Sequence, residues 1–239
     1  SRLDLAGGGL GVEAAYLQLN FCENWSLQGG LIYSIFCLEE NISNDRELGV
    51  NLSFVAGQFD QETEAGLVLA WQGESTRFWA TYSNGFGQSD INPLANTRQG
   101  FMFRLGYKPF GNWDNLYDFN PHPETTEPGI LLGIAAAHDW GTYNDPTNTS
   151  SPSATGPATR ASADVTWQIP GFSIMNTAYF QDWSQGGEDW SQGGARGGTR
   201  WAAVSQVTGF LTPEFQLYGR YEWGRIMDSG QKDVSIATV

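Results

Sequence analysis

Between residues 159 and 183 apolar and polar positions alternate. Ala161, Ala163, Val165 and Trp167 fall on one side, and Arg160, Ser162, Asp164, Thr166 and Gln168 on the other, a period of two that predicts a half-buried β-strand. Ile169, Pro170 and Gly171 then supply a tight reversal, because proline fixes φ and glycine accepts positive φ. A second run sets Phe172, Ile174, Ala178 and Phe180 opposite Ser173, Thr177 and Gln181, with Asn176 the polar exception on the apolar side. Each strand is about ten residues long, has one apolar face and carries Trp near an end, as a barrel strand that crosses a membrane requires. A long hairpin of a soluble β-sandwich or lectin-like domain would show the same pattern.

The same periodicity predicts strands at 10–20, 26–35, 64–72, 76–84, 100–108, 129–139, 159–168, 172–182, 200–210, 215–225 and 233–239. The connections between them alternate. Short ones lie at 22–25, 73–75, 169–171 and 211–214; long ones lie at 36–63, 85–99, 140–158, 183–199 and 226–232. A membrane barrel has short turns at one rim and long loops at the other, whereas a sandwich has no reason to keep that order. The connection at 109–128 falls on the short side but is long, which suggests an enlarged turn. Strands 10–20, 129–139 and 200–210 alternate less cleanly. Ile130, Leu131, Leu132, Ile134 and Ala135 are apolar on both faces, so that strand should be covered by a loop or a neighbouring subunit.

Composition narrows the class. No apolar run in the 239 residues approaches the roughly 20 needed for a helical span, and the mean hydropathy is −0.34, which together exclude a helical membrane protein. A 14% aromatic content with 10 Trp and 30 Gly suits long strands with aromatic girdles, and would also suit a carbohydrate-binding β-protein. The formal charge of −14, from 12 basic and 26 acidic residues, would repel phosphates and excludes nucleic acid as a partner. Cys22 and Cys37 are read at opposite ends of one strand, too far apart for a disulfide. His122 and His138 have no nucleophile or ligand partner at motif spacing, and neither GxSxG nor a P-loop occurs, so no enzymatic activity, cofactor or metal is expected; a membrane-embedded hydrolase that assembles Ser, His and an acid across strands, invisible to spacing, is the minor alternative. Without a charged and apolar leader, and stopping within an alternating run, residues 1–239 read as a single barrel domain incomplete at both ends.

The segment LQLNFCENWSLQGGLIYSIFCLEE, then FDQETEAGLVLAWQG, YSNGFG at 82–87 and RLGYKPFG at 104–111, resemble the phosphate-selective porin O and P family of outer-membrane proteins. That resemblance implies an all-β fold, a 16-stranded transmembrane antiparallel β-barrel with about eleven strands in this segment. It also implies a homotrimer in outer-membrane lipid, a lumen lined with arginine and lysine, and passage of anions such as phosphate. The region 36–63 would be the constriction loop folded into the pore. Gly30, Phe36, Glu39 and Glu40 follow the family pattern there, while Tyr33 and Ile35 stand where lysine and proline are common.

Strand parity nominates Arg77, Arg104, Lys108, Arg160 and Arg220 as pore-lining groups, since basic side chains replace part of an anion's hydration. Their alternative role is to brace the wall by pairing with Glu64, Asp164 and Glu222. The constriction-loop candidates are Glu39, Glu40, Asp45, Arg46 and Glu47, with Asp60 and Glu62 adding to the acidic stretch. Trp25, Trp71, Trp167, Trp183, Trp201 and Trp223 lie near strand ends, as an interfacial belt would place them. The tandem DWSQGG at 182–187 and 189–194 reads as a slippage duplication in a tolerant loop. The expected function is passive diffusion of small hydrophilic solutes or ions through a water-filled outer-membrane channel. The alternatives are a soluble or surface carbohydrate-binding β-sandwich and a plugged barrel serving as an envelope scaffold.

Overall fold

A computed structural model describes residues 2–4, 11–42, 46, 52–59, 63–84, 99–140, 157–183, 198–227 and 232–238. Its strands are β1 (Arg2–Asp4), β2 (Gly11–Cys22), β3 (Trp25–Tyr33), β4 (Thr63–Gln72), β5 (Thr76–Ser83) and β6 (Gly100–Phe110). They continue as β7 (Gly129–Asp139), β8 (Ala158–Ile169), β9 (Phe172–Trp183), β10 (Gly198–Thr212), β11 (Phe215–Met227) and β12 (Lys232–Thr238). All twelve form one sheet in sequence order, with every pairing antiparallel. Eleven of them are the strands expected from the alternation; the short β1 is additional. Two α-helices, α1 (Phe54–Phe59) and α2 (Trp113–Leu116), and a 3-10 turn at Glu39–Asn41 complete the described elements.

The β8–β9 hairpin turns as its sequence requires. Ile169 pairs with Phe172, leaving Pro170 and Gly171 as the turn, with Gly171 at φ 78°. From there the register runs unbroken to Ala158 opposite Trp183. Period-two side chains therefore stack into continuous rows across the sheet. One row carries Arg104, Ala135, Ser162, Tyr179, Ala202 and Gly224 on successive strands.

The two faces of the sheet are inverted relative to a soluble protein. Leu17 is 85% exposed and Phe101 49%, and Phe103, Leu132, Ile134, Trp167, Phe180, Leu217 and Tyr221 are exposed with them. The opposite face buries Arg104, Asp164, Thr166, Gln168, Gln181, Gln206 and Glu222. In water such an apolar face would be far larger than a soluble monomer tolerates; against lipid it is the stable arrangement.

Aromatic side chains gather at both strand ends. Trp25 meets Trp71 and Phe78, and Trp167 meets Phe172, at the short-turn rim. Tyr82, Phe101 and Trp140 meet at the long-connection rim. Such girdles mark the two membrane interfaces. Among the described residues no helix is long and apolar enough to cross a membrane.

Candidate functional site

Two connections turn inward over the polar face. The first follows β3. Its apolar run Ile35, Phe36, Cys37 and Leu38 is buried, and a 3-10 turn over Glu39–Asn41 reverses the chain, with Asn41 Nδ2 donating to the Cys37 carbonyl at 2.6 Å. Ser53 then starts α1, its hydroxyl accepting from the Ala56 N–H at 3.0 Å as a helix-capping serine does. Val55, Ala56 and Phe59 form the buried side of that helix.

The strands hold this insert by its backbone. Arg104 Nη1 on β6 donates to the Phe36 carbonyl at 3.1 Å, and Ser162 Oγ on β8 donates to the same oxygen at 3.1 Å. Arg160 Nη1 on β8 donates to the Phe59 carbonyl at 2.8 Å. Glu222 Oε2 on β11 accepts from the Val55 N–H at 2.8 Å, and Gln206 Nε2 on β10 donates to Glu39 Oε1. Tyr179 of β9 stacks on Phe59 at 5.3 Å and touches Phe36 at 6.3 Å. Burial pushes the Glu39 carboxyl above the ordinary carboxylate range, against the lowering effects of its Ser53 bond and the Arg220 charge.

The second insert is the long connection on the short-turn side, which continues inward as α2. Trp113, Leu116 and Phe119 are buried with Leu131 of β7. This answers the two-sided apolar pattern of β7: its inner face is covered by the 111–128 connection, and Leu132 and Ile134 face outward. The Gly171 N–H donates to the Pro121 carbonyl at 2.8 Å, and His122 meets Phe210 edge-on at 5.5 Å, which pins the connection along the rim. The two inserts meet where the Phe119 N–H donates to the Arg46 carbonyl at 3.1 Å.

The five nominated basic residues all lie on the inner face and all engage protein groups. Arg104, 1% exposed, pairs with Asp164 at 2.7 Å. That pair spans two strands because Gly133 of β7 lies between them; a Cβ there would collide with the Asp164 carboxylate. Arg220 pairs with Glu222 at 2.9 Å, and Arg160 holds the Phe59 carbonyl. Arg77 lies 4.4 Å over the Trp113 ring and 5.1 Å over Tyr117. Lys108 Nζ donates to the Gly111 carbonyl at 2.7 Å and stands 5.4 Å over Trp113. Of the acids considered for bracing, Asp164 and Glu222 do pair with these cations.

In the loop set, Glu39 is buried, Glu40 is half-buried and Arg46 is exposed. Asp45, Glu47, Asp60 and Glu62 lie outside the described residues, as does the DWSQGG repeat beyond Trp183. Sequence reasoning missed Ser162, Gln206 and Tyr179 as partners of the insert. The available signal was the pair of apolar runs, 35–38 and 54–59, inside a nominal loop. Cys22 and Cys37 are both free thiols, and no cluster that could hold a metal occurs among the described residues.

No family model matches the sequence, and no curated protein matches it. Among solved structures the chain is similar to the outer-membrane expressed OmpT of Vibrio cholerae, with a TM-score of 0.56 and 11% identity. The likeness covers 96% of this chain and 61% of that one, so the chain spans less than two thirds of that structure's length. The fold is an outer-membrane β-barrel.

The outer-membrane location expected from the sequence agrees with this barrel and its lipid-facing side. The expectation of no enzymatic activity is corrected by the same match. It rested on missing motif spacing, but an outer-membrane barrel brings groups together across strands, as it does Arg104 and Asp164, 60 positions apart. Linear spacing therefore excludes no catalytic constellation in this fold, and the expectation is withdrawn.

Proposed function

We propose that the barrel is a narrow channel for passive diffusion of small hydrophilic solutes, with the 36–63 segment as its constriction. The observation that carries the reading is the docking of this segment on the polar face, fixed by hydrogen bonds from Arg104, Arg160, Ser162 and Gln206. An insert there narrows a lumen while leaving a polar wall, and pore diameter and lining groups then sort solutes. The nominated basic groups engage the inserts or wall acids, so size dominates over charge and anion or phosphate preference is weak. Assembly as a homotrimer in outer-membrane lipid, implied by the family resemblance, belongs to the same proposal and is read from the mass of the detergent-solubilised complex.

The test is current through the full-length protein in a planar bilayer under a KCl gradient. Small stepwise conductance with a reversal potential near zero is the expected result. Strong anion preference would restore the phosphate reading. A second reading, a plugged barrel acting as an envelope scaffold, draws on the apolar cluster of Phe36, Leu38, Phe59, Leu116 and Phe119 between the inserts. Absence of any conductance from a folded, heat-modifiable barrel would favour it.

A further inference from the structure

We propose that a patch of small and polar side chains on the lipid-facing side of β8–β10, centred on Asn176, is where this barrel meets further copies of itself, the Asn176 amides bonding to one another about the axis of the assembly. The proposal rests on the homo-oligomer suggested above and adds the face through which it forms.

The register sorts the outward side chains into rows. One row runs Tyr107, Leu132, Val165, Asn176, Ser205 and Tyr221 from β6 to β11. The next, nearer the long-connection rim, runs Leu105, Ile134, Ala163, Ala178, Ala203 and Trp223. Over β8–β10 these rows hold three alanines, Ser205 and Asn176, with Val165 the largest member. Trp167, Phe180, Trp201, Tyr221 and Trp223 stand exposed around them. Small side chains let a neighbouring wall come close to the backbone, which is how surfaces pack in lipid, where no hydrophobic effect drives them together.

Asn176 is the anomaly of the outward face. It is exposed, and its amide has no hydrogen-bond partner among the described residues. It stands roughly 14 Å along β9 from Phe172 at the short turn and roughly 20 Å from Asp182 toward the other end, well inside an apolar band about 25 Å tall. Its short side chain reaches no headgroup from there. Lipid tails offer neither donor nor acceptor, so an unpaired amide bears the whole cost of leaving water. On the same face the Tyr221 hydroxyl and Ser235 Oγ, 2.7 Å apart, satisfy each other.

Self-complementarity names the partner. A primary amide carries both donors and an acceptor. Around a rotation axis each Asn176 can therefore donate to the next copy and accept from the one before, a ring that closes with three copies. No charged residue stands in either row to repel its own copy. The outward face of β2–β6 is no complement: its middle row runs Leu19, Leu27, Leu69, Ala80 and Phe103, with nothing to hydrogen-bond. The patch is matched by itself.

Cross-linking of the full-length protein in outer-membrane vesicles tests this. Cys22 is exposed and is first replaced by serine; Cys37 is buried and stays. Asn176→Cys with a short thiol–thiol reagent should join two chains, and Phe103→Cys on β6 should not. Asn176→Leu, a residue that lipid accepts, should weaken association in mild detergent about three- to tenfold, the range for an interchain hydrogen bond in a membrane, while heat-modifiability and bilayer current persist. Asn176→Gln should keep the association. Absence of joined chains at 176 in a protein that is oligomeric by mass overturns the proposal and leaves the assembly. Equal joining at 103, the mark of random collision, overturns it too, as does an Asn176→Leu variant that associates as tightly as the wild type. A monomeric mass removes the assembly and this contact together and leaves the channel to its current.

Discussion

The two inserts reach the barrel interior from opposite rims; both bury apolar side chains, and they differ in the contacts the wall adds. The 34–59 segment is docked through polar bonds from Arg104, Arg160, Ser162 and Gln206 to its backbone and to Glu39. The 111–128 connection is docked by apolar and cation–aromatic packing, Trp113 and Leu116 against Leu131 and Arg77 over Trp113 and Tyr117. Directional bonds to one geometry lose their strength together once that geometry is left, whereas dispersion contacts yield gradually. The polar dock of the first insert therefore depends on a few wall side chains remote in sequence, and the packing of the second on residues of its own rim.

The sharpest way to break the comparison is Asp164→Ala. It leaves Arg104 buried beside an empty site, at a cost of about 3–5 kcal/mol, and thermal unfolding of the heat-modifiable form should register it. Because Arg104 also holds the Phe36 carbonyl, the 34–59 insert should loosen while the 111–128 connection stays protected from protease. Leu116→Ala should do the converse, costing about 2–4 kcal/mol through the cavity left against Leu131 and Gly129 and exposing only the second insert to cleavage. Equal loosening of both inserts by either variant would mean that they are one cooperative unit joined through Phe119 and Arg46.

Glu222→Gln comes next, removing a charge-assisted bond to α1 for about 1.5–3 kcal/mol, with amide hydrogen exchange at 54–59 as the measurement. Arg77→Ala is the smallest, about 0.5–1 kcal/mol from the contact over Trp113, and should leave the exchange of 54–59 unchanged. If it alters that exchange, the aromatic rim also supports the polar insert.

Much of the fold was legible in the chain because each β-strand writes its two faces into adjacent residues. Phe101, Phe103 and Tyr107 against Arg104 and Lys108 state the orientation of β6 without reference to any other element. The hairpin at Pro170 and Gly171 is equally local. Three features were not legible. The inward course of 111–128 showed only as an overlong turn, and its purpose emerged with Leu131, whose apolar partner lies in another element. Parity placed the basic residues on the inner face and left two roles open for them, because it gives the face but not what covers it. The partners of the insert are remote: Glu39 meets Gln206 across 167 positions and Arg160 meets the Phe59 carbonyl across 101.

The sequence by itself determined the strands, their faces, the alternating rims and the class of membrane structure, because period-two patterning and turn chemistry act over a few residues. Only the tertiary structure decided which groups the buried charges satisfy. A buried arginine needs an acceptor, and whether that acceptor is a solute, a wall carboxylate or a loop carbonyl depends on what the sheet and its inserts bring within about 3 Å of it. For Arg104 the answer is Asp164 and the Phe36 carbonyl, made reachable by the missing side chain of Gly133.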